Sequence, residues 1–364
     1  MSDVMQTEQL QVLIRAFEFG LRREKWPTIT GWLLGLLLTL GGQAVCAAPI
    51  TDEVLSAIVT IHTEVPASAR TARLLGTERD GSGVVIDTEG HILTIGYLII
   101  EASSVEIMLN GSRRIQATVV GNDYRTGFGL VRATEPLDVT PMSLGQSSQL
   151  SERTELLVVS DSTPTSIRPT LVTSRREFAG SWEYLLEDAI FTAPPHPRYA
   201  GAALIGAEGK LLGLGSLLVN DVLPGRQTLT GNMFIPVDHI KPILGDLIRK
   251  GRPAASPQPW LGLFTEEFRD KLIIMSVAPD GPADQAGVRV NDLLLKVAGK
   301  PIKDQADFYR KIWALGDAGA NIPLTLLQGA EIKEIVVRSS DRESYFRTTP
   351  APKKPDKGEP LQST

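Results

Sequence analysis

The chain has 364 residues, long enough for two or three domains. Its 42% hydrophobic and 22% charged residues fit ordinary globular structure. A net charge of −5 and the lack of any Lys/Arg-rich run give no support for a nucleic-acid surface. Cys46 is the only cysteine, which leaves no intrachain disulfide and no cysteine-based metal site, and the four histidines, His62, His91, His196 and His239, have no ligand spacing. No motif for a cofactor or a metal is present.

The first 48 residues read as a targeting segment. Arg22, Arg23 and Lys25 precede an apolar run from Trp32 to Leu40 and a small-residue exit at Val45-Cys46-Ala47-Ala48. This is the layout of a secretory signal cleaved after Ala47 or Ala48. The alternative is an uncleaved membrane anchor through residues 31–50, with the positive charges held in the cytoplasm. Both put the rest of the chain outside the cytoplasm, in the periplasm or an equivalent compartment. Gln43 stands where a lipoprotein would need an aliphatic residue, so lipidation of Cys46 is not expected.

From Thr51 to Lys250 short apolar strands alternate with turns. They are expected at Ala57–Thr63, Gly81–Asp87, His91–Thr94, Val105–Leu109, Ile115–Val120 and Gly129–Ala133, with Asn110-Gly111 closing a hairpin. A second set is expected at Glu155–Ser160, Ile167–Thr173, Leu185–Phe191 and two strands after Ala200. Many short strands at about ten-residue spacing predict a mainly β fold of two barrels, residues 49–145 and 146–250. Ile240, Ile243, Leu244 and Leu247 recur at helical spacing, which predicts a closing helix over Asp238–Lys250. Residues 251–259 form a Pro-rich linker. Residues 260–341 form a small α+β unit with strands at Leu272–Ser276, Leu293–Val297 and Ile322–Leu327 and a helix around Gln305–Leu315. The remainder, 342–364, predicts a disordered tail.

Several stretches together carry a family resemblance. In the first barrel they are Gly81-Ser82-Gly83-Val84-Val85-Ile86, His91 to Ile99 and Gly121 to Val131. In the second they are Tyr199-Ala200-Gly201 and Gly231 to Pro236. The last unit adds Ala278-Pro279-Asp280-Gly281-Pro282-Ala283, Ala286-Gly287-Val288, Asn291-Asp292-Leu293 and Gly299-Lys300-Pro301-Ile302. Residues 51–341 resemble the HtrA/Deg serine proteases, a trypsin-like double β-barrel followed by a PDZ domain. The resemblance implies a serine-type endopeptidase of protein quality control, assembled as a homo-trimer or as a hetero-trimer with active relatives.

Carried over position by position, the catalytic histidine falls on Tyr97, the aspartate on Gly127 and the serine on Ala200. The mechanism needs a nucleophile, a base and a carboxylate that orients the base. A phenol with pKa near 10 is a poor base, glycine has no side chain, and alanine cannot attack. Pro194-Pro195-His196-Pro197-Arg198 also replaces the family's approach to the nucleophile, which puts the oxyanion-hole geometry in question. These departures imply a pseudoprotease. The competing expectation is a displaced active site, with His196 as base and Ser216 or Ser181 as nucleophile. His91 is expected to cap a turn, His196 to sit in an exposed loop, and Ser82 to be structural. Trp260-Leu261-Gly262-Leu263 resembles the PDZ carboxylate-binding loop. A C-terminal peptide or unfolded segment is expected to add as a strand after it, against a helix carrying Phe308 and Ile312. The alternative is a PDZ unit that packs on the barrel and regulates nothing.

Overall fold

The computed structural model describes residues 50–223, 228–269 and 271–346. The targeting segment and the tail beyond Phe346 lie outside these residues. No helix among the described residues is long and apolar enough to cross a membrane.

The first barrel is built from β1 (Ile58–Glu64), β2 (Glu78–Val85), β3 (His91–Ile95), β4 (Ser104–Leu109), β5 (Arg113–Asn122) and β6 (Phe128–Ala133). It closes in the order β1-β2-β3-β6-β5-β4. Alternation drives this: along β4 the even members Val105, Ile107 and Leu109 are buried and their neighbours are not. Asn110 and Gly111 turn the β4–β5 hairpin, both at positive φ (50° and 69°).

The second barrel comprises β7 (Glu155–Val159), β8 (Ile167–Gly180), β9 (Tyr184–Ala193), β10 (Ala203–Ile205), β11 (Leu211–Val219) and β12 (Gly231–Pro236). It closes as β10-β11-β12-β9-β8-β7. Strand β8 runs seven residues past its expected end at Thr173, and pairs with β9 as far as Gly180↔Tyr184. A three-residue turn, Ser181-Trp182-Glu183, joins them, with Glu183 in the left-handed region (φ 56°). Position three of such turns suits glycine, and a glutamate there costs about 1 kcal/mol or more.

The helix expected over 238–250 is divided. A 3-10 turn covers Val237–His239 and the α-helix starts at Leu244 and ends at Lys250. Pro242 is the cause: it has no N–H for an internal helical bond, and its ring crowds the preceding turn. Gly251, left-handed at φ 73°, ends the helix.

The third unit is a sheet in the order β13-β14-β15-β17-β18, comprising β13 (Leu263–Phe268), β14 (Lys271–Val277), β15 (Leu293–Val297), β17 (Asn321–Gln328) and β18 (Glu331–Arg338). The short β16 (Lys300–Pro301) pairs with β15. One helix, Gln305–Trp313, packs on the sheet, its N-terminus capped by the Asp304 carboxylate. Ordered chain continues past the expected boundary at 341: Arg342–Tyr345 is helical, and Tyr345 and Phe346 are built into aromatic contacts. Tyr345 lies 4.6 Å from Trp260, ring centre to ring centre, and Phe346 stacks on Tyr124 of the first barrel at 5.7 Å. These rings bury apolar area that a solvated tail would expose, which is why the start of the tail is ordered.

Candidate functional site

The three triad positions meet at the seam between the barrels. Tyr97 lies in the helical turn Gly96–Ile99 that follows β3. That turn is anchored on the neighbouring position, because the Gly96 N–H donates to Gly127 O at 2.7 Å. The half-buried Tyr97 donates its hydroxyl to Ser216 O at 2.9 Å. Burial first, and then the nearby Tyr199, push its phenol well above the ordinary range. The group is therefore a neutral donor committed to a carbonyl, and has no proton-accepting role at neutral pH.

Gly127 sits at φ 89° in a loop that the Asp123 carboxylate organises. Asp123 accepts from Arg125 N, Thr126 N and Thr126 Oγ1 at 3.2, 3.2 and 2.6 Å. Tyr184 Oη donates to Thr126 O at 2.6 Å and closes the loop from the second barrel. A Cβ at 127 would stand 3.3 Å from Ile235 Cδ1 and 3.6 Å from Tyr184 Oη. The room that a carboxylate would occupy is bordered by these two side chains.

Ala200 accepts from Ser82 N at 2.8 Å through its carbonyl. Ser82 is 2% exposed, and its hydroxyl donates to Ser160 O at 2.6 Å, so it stitches the barrels together as a structural residue. Gly201 follows at φ 72°, and a Cβ there would lie 2.0 Å from Ser82 O. Only glycine permits this approach.

The loop before Ala200 differs from the sequence expectation. His196 is not exposed; it is 2% accessible. Its backbone N–H donates to Asn232 Oδ1 at 2.6 Å, and its Nδ1 accepts from Arg198 N at 3.1 Å. Nδ1 is thus unprotonated, and Nε2, 3.1 Å from Ser166 O, carries the hydrogen. A trypsin-like oxyanion hole uses the N–H of the nucleophile and the N–H two residues before it. The second of these is Arg198 N, which here is turned onto His196. The other rescue candidates are placed apart: Ser181 is at the β8–β9 turn, and Ser216 offers its carbonyl to Tyr97. His91 caps a turn, with its N–H and Nδ1 on the Asp87 carboxylate at 3.0 and 2.7 Å.

Burial holds the His196 imidazole below its usual pKa, whereas the Asp80 carboxylate raises that of His62. Unfolded, His196 takes a proton near pH 6.5. Its share of stability is therefore complete above about 6.5 and is lost as the pH falls toward the folded value. In a ring-proton NMR titration from pH 8 to 5, His196 should titrate below 6.5 and at lower pH than His62. Titration of His196 at or above 6.5 would contradict the neutral, double-bonded imidazole.

The PDZ loop is occupied from within the chain. The N–H groups of Leu261, Gly262 and Leu263 all donate to the Glu183 carboxylate, at 2.9, 2.7 and 2.8 Å for the shortest contacts. Trp260 does not join them; its N–H pairs with Ser340 O at 3.1 Å. Glu183 is 5% exposed. Burial raises its carboxyl to about 7, against the opposing pull of the three N–H groups and the Arg342 guanidinium. Ser181 O accepts from Thr265 N at 2.9 Å on β13. Phe308 and Ile312 lie fully buried in the PDZ core. The helix meets the turn instead through Gln305 and Tyr309, which donate to Gly180 O at 2.8 and 2.6 Å. Nothing local in Ser181-Trp182-Glu183 signalled this contact, which spans almost eighty residues of sequence.

Known proteins resemble the chain throughout this region. Escherichia coli "Serine endoprotease DegS" is 27% identical over 248 residues, 61% of this chain and 65% of that protein. Salmonella typhimurium "Periplasmic serine endoprotease DegP" is 25% identical, over 72% of this chain and 57% of its own length. Escherichia coli "Periplasmic pH-dependent serine endoprotease DegQ" is 24% identical, over 84% and 73%. The chain thus spans less than two thirds of DegS and of DegP. Among solved structures, "HtrA-type protease AlgW with decapeptide" aligns over 82% of this chain and 98% of that one, at 17% identity and a TM-score of 0.49. A trypsin-like peptidase domain model matches residues 81–214, and a PDZ domain model matches 259–338. The chain carries a trypsin-like peptidase domain followed by a PDZ domain, and it is similar to the HtrA/Deg serine proteases.

Proposed function

We propose that this chain is a non-cleaving HtrA-family protein of the cell envelope. It binds unfolded or C-terminal peptide segments through its PDZ domain and serves as a scaffold, a chaperone-like holder or a regulator in protein quality control. One observation carries this reading. The residue at the base position is a phenol whose hydroxyl is committed to Ser216 O, while Gly127 and Ala200 supply no carboxylate and no nucleophile. The turning of Arg198 N onto His196 supports it from a second direction. The extracytoplasmic location rests on the relatives named as periplasmic and on the residue pattern of the first 48 residues. Assembly as a homo-trimer, or as a mixed trimer with an active relative, completes the proposal.

The relatives named as serine endoproteases favour a second reading, an endopeptidase with a displaced site. Its best base, His196, is buried and bonded through both ring nitrogens, which weighs against it. The deciding experiment treats the protein with a fluorophosphonate probe and a quenched unfolded substrate, beside an active family member. Neither labelling nor turnover is expected. Stoichiometric labelling of any serine would establish the second reading, and the labelled residue would identify the site.

A further inference from the structure

We propose that the PDZ domain carries its own ligand: the Glu183 carboxylate at the tip of the β8–β9 hairpin holds the carboxylate-binding loop shut, and a chain end with a free C-terminal carboxylate enters only by displacing that turn. The last step rests on the peptide-binding reading above; the occupancy of the loop by Glu183 does not.

A peptide that docks C-terminus first offers a carboxylate to a nest of N–H groups, backbone atoms to an edge strand, and an apolar side chain to the core beside the helix. The β8–β9 hairpin presents all three. Its Glu183 carboxylate takes the N–H groups of Leu261, Gly262 and Leu263. The carbonyl of Ser181 takes the N–H of Thr265 on β13, a strand that pairs with β14 alone in the sheet and so has a free edge. Leu185, two residues beyond the glutamate, is buried in the same apolar cluster as Leu261, Leu263, Phe308 and Ile312. The opposite wall grips the same turn: Tyr309 Oη donates to Gly180 O at 2.6 Å and accepts from Glu183 N at 3.2 Å. Arg310 and Glu177 form an ion pair at the rim. An external chain end and this hairpin therefore compete for the same donors, and both cannot hold them at once.

The left-handed backbone at Glu183 reinforces the assignment. A residue chosen only to turn β8 into β9 would be glycine or asparagine. The glutamate is unfavourable to the turn and is accounted for by what its carboxylate reaches.

The test uses the full chain with Glu183→Gly, which suits the left-handed turn, and Glu183→Gln, which keeps the size and removes the charge. Hydrogen exchange at the amides of Leu261, Gly262, Leu263 and Thr265 is followed, with the amides of β17 as the folding control. A labelled peptide ending in leucine with a free carboxylate is then titrated, with its C-terminal amide as comparison. Both variants should lose protection at the loop while β17 keeps it, and should bind the free-acid peptide about tenfold or more tighter than the wild type, since a closed site lowers the apparent affinity by its closed fraction. Unchanged loop protection in both variants, or equal affinity in all three proteins, overturns the proposal. Loop amides freed in the variants with no saturable peptide binding by any form would leave Glu183 as the loop's ligand and overturn the peptide-binding reading.

Discussion

The triple variant Tyr97→His, Gly127→Asp, Ala200→Ser is expected to remain at least about 100-fold slower than an active family member, although it restores all three triad groups. The reason lies outside the triad. Losing one oxyanion donor costs about 10²–10³ in rate, and the Arg198 N–H that would serve as one donates to His196 Nδ1 at 3.1 Å. The loop is fixed in that arrangement by further bonds, with His196 N on Asn232 and the Arg198 side chain on Asp161. Gly127 adds a second obstacle, since an aspartate there would have to adopt φ 89° with Ile235 and Tyr184 at its Cβ. The assay is initial turnover of a quenched unfolded substrate, with fluorophosphonate labelling to confirm the serine. A rate equal to that of the active relative would mean that the oxyanion donors reorient freely, and that the three triad positions alone separate this chain from an active protease.

Gly201→Ala is expected to damage the fold severely. The new methyl would lie 2.0 Å from Ser82 O, a backbone atom that cannot swing aside. Ser82 is itself held on both sides: its N–H donates to Ala200 O, and its carbonyl accepts from Thr94 Oγ1 at 2.7 Å. The clash therefore forces the barrels apart at their seam, and a loss of about 4 kcal/mol or more is expected. Gly111→Ala is the matched control. It has a similar φ of 69° but nothing within 4 Å of the new methyl, so only the backbone penalty of about 1 kcal/mol applies. Denaturant melts of the two variants should differ by about 3 kcal/mol. Equal losses would mean that the seam yields without cost.

The repeating elements of this fold were legible because they are period-two or glycine-marked. Val105, Ile107 and Leu109 alternate cleanly, and Asn110-Gly111 announces its turn. Strand β18 was not read, since Glu331 to Arg338 breaks the alternation at Lys333-Glu334 and at Ile335-Val336-Val337 and leaves Ile332 and Val336 exposed on an edge. The end of β8 was hidden by Arg175, Arg176 and Glu177, whose charges suggest a loop. At the site, the identities of Tyr97, Gly127 and Ala200 could be read directly. The burial of His196 could not, because it depends on Ser166, in the turn before β8, and on Asn232 of β12, both distant in sequence. Phe308 and Ile312 share the buried face of their helix with Gln305 and Tyr309, whose polar contacts to the hairpin depend on where Gly180 and Glu183 stand and so had no local signal. Glu183 was invisible for a related reason: its partners lie in another domain.

A ligand carried on a hairpin also behaves unlike one in solution. Its effective concentration is set by geometry, in the millimolar range for short tethers and independent of how much protein is present. Diluting the protein cannot empty the Leu261–Leu263 loop, and overproducing it cannot fill the loop further. Under the proposed peptide binding, a free chain end would compete against that fixed molarity, so weak and sparse ends would be ignored and only abundant or well-fitted ones would register. The Ser181-Trp182-Glu183 turn would in this way give the domain a threshold, with its height written into three residues.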